Sequence, residues 1–91
     1  MIKKVILKGR VQGVGCRGYC AKYARKFHIN GSASNQYDGS VKLLLNVNDE
    51  IVFKRFITSL ITNTEGYMFW GSIDDISIDD YSGKTGGDYN F

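Results

Sequence analysis

Residues 9 to 17 read Gly9-Arg10-Val11-Gln12-Gly13-Val14-Gly15-Cys16-Arg17. Glycines at this spacing permit a turn whose successive backbone N–H groups point into one concavity. Beside a helix N-terminus, where the first N–H groups have no intrahelical partner, such a turn binds anions. Arg17 adds a planar, permanently charged fork able to meet two phosphate oxygens at once. A base in the first turn of a helix is electrostatically disfavoured unless an anion sits there. Types and spacing together read as a phosphate cradle over Gln12, Gly13, Val14, Gly15, Cys16 and Arg17.

The other reactive side chains offer less. Cys16 and Cys20 are four residues apart. On a helix that leaves their Cβ atoms roughly 5 to 6 Å apart, wider than the about 3.5 to 4.5 Å of a disulfide, so both are expected as reduced thiols. Cys16 has no His or Asp beside it in sequence to activate it and reads as a small buried residue. With one histidine, His28, and no second cysteine pair, no metal site is expected. Asn35, close to Tyr37-Asp38-Gly39, is by its type a turn residue, since asparagine bonds its own backbone. Tyr67, Phe69 and Trp70 could stack on bases, yet they lie in an acidic stretch and read as core or edge packing. Asp74, Asp75, Asp79 and Asp80 lack the spacing of a calcium loop and read as a solvated strand edge that discourages aggregation.

The elements that must position these groups follow from periodicity. Ile2 to Arg10 is β-branched and roughly alternating, a strand. Cys16 to Phe27 keeps Cys16, Cys20, Tyr23, Ala24 and Phe27 at helical spacing. Gly31 to Gln36 is a weak strand by propensity, but the turn at 37 to 39 and the extended Ser40 to Val47 make the pair a hairpin. Asn46 or Asn48 caps a second helix with Val52, Phe53, Phe56, Leu60 and Ile61 as its apolar stripe, ending near Asn63-Thr64. Ile73 to Asp79, where Ile76 and Ile78 alternate with Ser77 and Asp79, is a half-buried strand. Beyond the glycine-rich Ser82 to Gly87, Asp88 to Phe91 is short enough to pair only as an edge. The order β-α-β-β-α-β predicts an α+β, ferredoxin-like sandwich, a four-stranded antiparallel sheet with two helices on one face.

With 91 residues and 43% apolar content, the chain can bury one core, and a single domain over 1–91 is expected. Apolar runs such as Val5 to Leu7 and Leu43 to Leu45 are far short of the roughly 20 residues that cross a bilayer, so no membrane role is expected and the cytoplasm is the expected location. The net charge of +3 hides an asymmetry. Nine bases face one acid up to Leu45, and three bases face eight acids from Asn46 onward. A basic half steers anions toward it, either a nucleic acid or a small phosphate.

Gly9-x-Val11-Gln12-Gly13-Val14-x-x-Arg17 resembles the signature of the acylphosphatases, and Gly31-x-Ala33-x-Asn35-x-x-x-Gly39-x-Val41 is similar to that family's other signature. Two motifs at the right separation carry far more weight than one glycine-rich loop. The resemblance spans essentially the whole chain. It implies that Arg17 is the phosphate-binding arginine, that Asn35 orients the attacking water, and that the 12–17 loop supplies N–H donors. It further implies a small acyl phosphate as substrate, with no cofactor, no metal, no nucleic acid and a monomer. The absence of an acid or base near the loop suits this chemistry. A carboxylate, with a conjugate-acid pKa of about 4, leaves without being protonated. Cys16 stands where the family usually has an aromatic, Ser32 and Ser34 where it has an aromatic and a basic residue, and Val47 where it has a glycine. Cys16 and Ser32 remove bulk, and neighbouring residues such as Tyr19 or Phe53 are expected to compensate, or stability to fall by some kcal/mol. Two rivals stand beside this reading: a non-catalytic anion-binding module of the same fold, and an RNA-binding ferredoxin-like domain. The second lacks its aromatic-rich central strand, since Ser40 to Val47 has no aromatic.

Overall fold

The computed structural model describes all 91 residues. Strand β1 (Ile2–Arg10) leads through a loop into helix α1 (Cys16–Lys26), then β2 (Asn30–Asn35), β3 (Val41–Asn46), α2 (Glu50–Thr62), β4 (Ser72–Tyr81) and a two-residue β5 (Tyr89–Asn90). The strands form one antiparallel sheet in the order β4-β1-β3-β2-β5. The ferredoxin-like order is as expected. The sheet has five strands, because the tail adds β5 beside β2.

Alternation along the strands decides what each face does. Val5 and Leu7 of β1 and Leu43 and Leu45 of β3 point toward the helices and are fully buried. Against them pack Cys16, Tyr19, Cys20, Tyr23 and Ala24 of α1 and Phe53, Phe56 and Leu60 of α2. The hydroxyl of Tyr19 donates to the Leu60 carbonyl at 2.7 Å and that of Tyr23 to Asn63 Oδ1 at 2.7 Å, pinning the end of α2 to α1. Phe69 stacks on Tyr19 with ring centroids 4.6 Å apart, and Tyr67 leans on Tyr23. These two aromatics are packing residues, as their place in the acidic stretch suggested. Trp70 is 66% exposed instead.

Several expectations at this level need correction. The cap of α2 is Asp49, not Asn46 or Asn48: its carboxylate accepts from Ile51 N–H at 2.8 Å and Val52 N–H at 3.4 Å. Ile61 is exposed, lying roughly 100° around the helix from Leu60. Ile78 is 44% exposed, so β4 buries Ile73 and Ile76 only in part. The aspartates of this edge strand stand opposite lysines of β1, Lys4 with Asp79 and Lys3 with Asp80, and the second pair closes at 2.9 Å.

Candidate active site

The loop between β1 and α1 is anchored at two points and open between them. Val11 and Val14 are buried in the core, while Gly13 and Gly15 face outward with φ of +72° and +81°. A side chain at either φ would crowd its own carbonyl. Gly15 is also the N-cap of α1 and can offer no side chain to the helix end. In consequence the backbone N–H groups from Gln12 through Gly18 donate to no protein acceptor. The first turn of α1 holds no acid. Partial positive charge from the helix N-terminus and the full charge of Arg17 therefore meet at one place.

Two ties hold the loop. Trp70 N–H donates to the Val14 carbonyl at 3.1 Å. The Gln12 side-chain amide donates to the carbonyls of Gln36 at 2.7 Å and Ser40 at 2.9 Å. That second tie fastens the loop to the β2–β3 hairpin, whose turn is set by Asp38 accepting from Ser40 N–H at 3.0 Å and Ser40 Oγ at 2.6 Å. Those bonds hold the Asp38 carboxyl below its usual pKa. Asn35 ends β2 on the same side of the sheet as Val41 and Ala33, the side that faces α1.

The result is a concavity of about 160 Å³ lined by Val11, Gly13, Gly15, Cys16, Arg17, Gly18, Asn35 and Tyr89. It brings together Gly13, Gly15, Cys16, Arg17 and Asn35 from the residues singled out by sequence. Val14 faces the core instead, and the side chain of Gln12 works as the hairpin tie. A larger hollow of about 360 Å³ lies among Ile2, Asn30, Asn46, Thr85 and Phe91 and has no charged lining residue.

Cys16 and Cys20 are both buried and free, with sulfurs 3.9 Å apart. The sulfur–sulfur contact lowers the pKa of Cys16, against the opposing effect of burial and with help from Arg17, and raises that of Cys20. Buried so deeply, Cys16 fills space at the base of the loop. No three His, Cys, Asp or Glu side chains converge anywhere as a metal set, and no helix is long and apolar enough to cross a membrane.

Two residues at the site were not singled out by sequence. Asp88 Oδ2 accepts from Asn35 N–H at 3.0 Å and lies 3.9 Å from Arg17 Nη1, and Tyr89 lines the concavity. Both arrive on the glycine-rich tail, which crosses the outer face of β2: Ser32 Oγ donates to the Thr85 carbonyl and Asp88 N–H to Ser34 Oγ. A Cβ on Gly87 would collide with Ser34 Oγ. The tail thus fills the space beside Ser32 and Ser34 on the outer face of β2.

The acylphosphatase family model matches residues 3–90. The chain belongs to the acylphosphatase family. An acylphosphatase from Clostridium perfringens is 35% identical over 79 residues, covering 85% of this chain and 86% of that protein. One from Nitrobacter winogradskyi is 33% identical over 76 residues, 84% of this chain and 72% of its own length. One from Polaromonas naphthalenivorans is 57% identical, but over 37 residues only, 41% of this chain and 37% of that protein. Among solved structures, the acylphosphatase from Bacillus subtilis superposes with a TM-score of 0.73 at 26% identity, covering 96% of both chains. Acylphosphatase membership brings with it the enzyme class, a hydrolase of acyl phosphates.

Proposed function

We propose that this acylphosphatase holds the phosphoryl group of a small acyl phosphate with Arg17 and the free N–H groups of the 12–17 loop, and that Asn35 orients the water. The observation that carries the reading is that Gly13, Gly15, Cys16, Arg17 and Gly18, whose N–H groups have no partner, line one concavity with Asn35. Water attacks phosphorus in line as the bond to the acyl oxygen breaks. The electron pair leaves on the carboxylate and the proton of the water passes to a phosphate oxygen. Arg17 and the amides are aimed at the equatorial oxygens, so the work is positioning and electrostatic stabilisation. All the groups invoked come from one chain, so a monomer suffices. The reading calls on no cofactor, nucleic acid or membrane, and free buried thiols fit a reducing cytoplasm.

The test is hydrolysis of acetyl or benzoyl phosphate by the purified protein and two variants. Arg17→Gln is expected to lose phosphate binding and activity together. Asn35→Ala is expected to lose turnover while binding phosphate about as well as the parent. A folded parent with no turnover above background returns the chain to the non-catalytic anion-binding reading, and an Asn35→Ala variant with most of the rate removes Asn35 from its role.

A further inference from the structure

The tail delivers a negative charge into a site built for anions. Asp88 is fixed there by its neighbours: its N–H is bonded to Ser34 Oγ at 3.1 Å, its Oδ2 takes the Asn35 N–H at 3.0 Å, and Gly31 and Phe91 exchange two backbone hydrogen bonds just beyond. Meanwhile Asn90 Oδ1 accepts from Gly87 N–H, closing the turn around it. The Asp88 carboxylate is therefore a held group and not a loose surface charge. The same oxygen stands 3.9 Å from Arg17 Nη1, too far for a hydrogen bond and close enough to act on whatever Arg17 binds.

We propose that Asp88 is an internal competitor for the phosphate site, a specificity residue whose charge weakens the hold of Arg17 and the loop on phosphate. The proposal rests on Arg17 being the phosphate anchor. A phosphoryl group at Arg17 carries one to two negative charges and must lie within a few Å of the Asp88 carboxylate. The two like charges repel, and a bound anion has to share the guanidinium with a resident one. Hydrolysis leaves inorganic phosphate in the place where the substrate phosphoryl group was. A site whose donors were wholly uncommitted would retain that product. With the resident carboxylate, affinity for both is lowered and phosphate clears the site more readily. A role as a mere prop for Arg17 makes the opposite forecast, because loss of a prop weakens binding.

The sign of the change on Asp88→Asn decides. This variant removes the charge and keeps an oxygen able to accept from Asn35 N–H. Arg17 and Asp88 side chains are 41% and 51% exposed, so water and salt screen the effect. We expect inorganic phosphate to bind about three- to tenfold tighter by calorimetry, with KM and the product-inhibition constant falling by similar factors. Asp88→Ser, which also removes the charge, serves as a second variant should the first fold poorly, and is expected to tighten phosphate as well. Phosphate affinity unchanged or weakened in the folded variants overturns the proposal. Arg17→Gln measured in parallel separates the two readings: if it binds phosphate as the parent does, the anchor role of Arg17 falls, whereas if it loses phosphate while Asp88→Asn gains nothing, only the competitor role falls.

Discussion

Gly15 meets two demands at one residue: its φ of +81° turns the chain into α1, and as the helix N-cap it has no side chain to occupy the first N–H groups. A serine or aspartate would be the stabilising choice at an N-cap, but its oxygen would take a donor that the proposed phosphate cradle uses. Gly15→Ala is expected to cost about 1 to 2 kcal/mol from the left-handed backbone alone, and to weaken phosphate binding as the loop shifts, measured by thermal melts and calorimetry on one preparation. Residues of the 12–17 loop and Arg17 were legible because everything that joins them is local: glycine spacing, a helix start and a misplaced base. Asn35 was legible only through the family resemblance, since its residue type beside a turn reads as turn chemistry. Asp88 and Tyr89 were not legible, because they reach the site through strand pairing between β2 and β5, more than fifty residues apart in the chain.

At the scale of elements, period and turn chemistry identified the helices and all strands but misjudged what bounds α2. Asn46, Asn48 and Asp49 all have capping side chains. The choice is made by β3 and its continuation: Val47 is buried and its N–H donates to the Met1 carbonyl, which keeps the chain extended past Asn46. Asp49 is then the first residue free to turn, and its negative charge also suits a helix N-terminus. Asp49→Ala is expected to lower stability by about 1 kcal/mol with no change in kcat, read from urea unfolding and an activity assay. Swapping Asn48 for Ala is not expected to do so. A weak strand such as β2, rich in Gly, Ser and Asn, holds because neighbours on both edges, β3 and β5, satisfy its backbone. That support is tertiary and outside the reach of propensity.

For the molecule as a whole, folding brings parts of the basic and acidic halves together: every ion pair joins a base before Leu45 to an acid after it. Strand β4 sets its aspartates opposite the lysines of β1, and Lys3 pairs with Asp80 at 2.9 Å although the two are 77 residues apart. At the site itself Arg17 and the helix N-terminus face the carboxylate of Asp88, 3.9 Å from the guanidinium. Ligand linkage offers a whole-molecule test. Inorganic phosphate at a hundredfold its Kd is expected to add about 2.7 kcal/mol of stability, a rise of roughly 10 to 20 °C in Tm for a domain this size. The same addition should leave Arg17→Gln where it was. An equal rise in both proteins would mean that phosphate stabilises the fold from elsewhere.

The pairing of β1 also has a consequence in time. Ile2 lies opposite Asn46 on one side and Tyr81 on the other, so neither partner of the first strand is near it in the chain. Each contact requires a long loop to close before any burial rewards it, and topologies of this sort fold slowly for their size. Until β4 arrives, β1 presents a bare edge with Val5 and Leu7 uncovered by their final neighbours. An unfinished chain is therefore open to joining a strand from another copy, and the lysines spaced along that edge are what keep such an encounter brief.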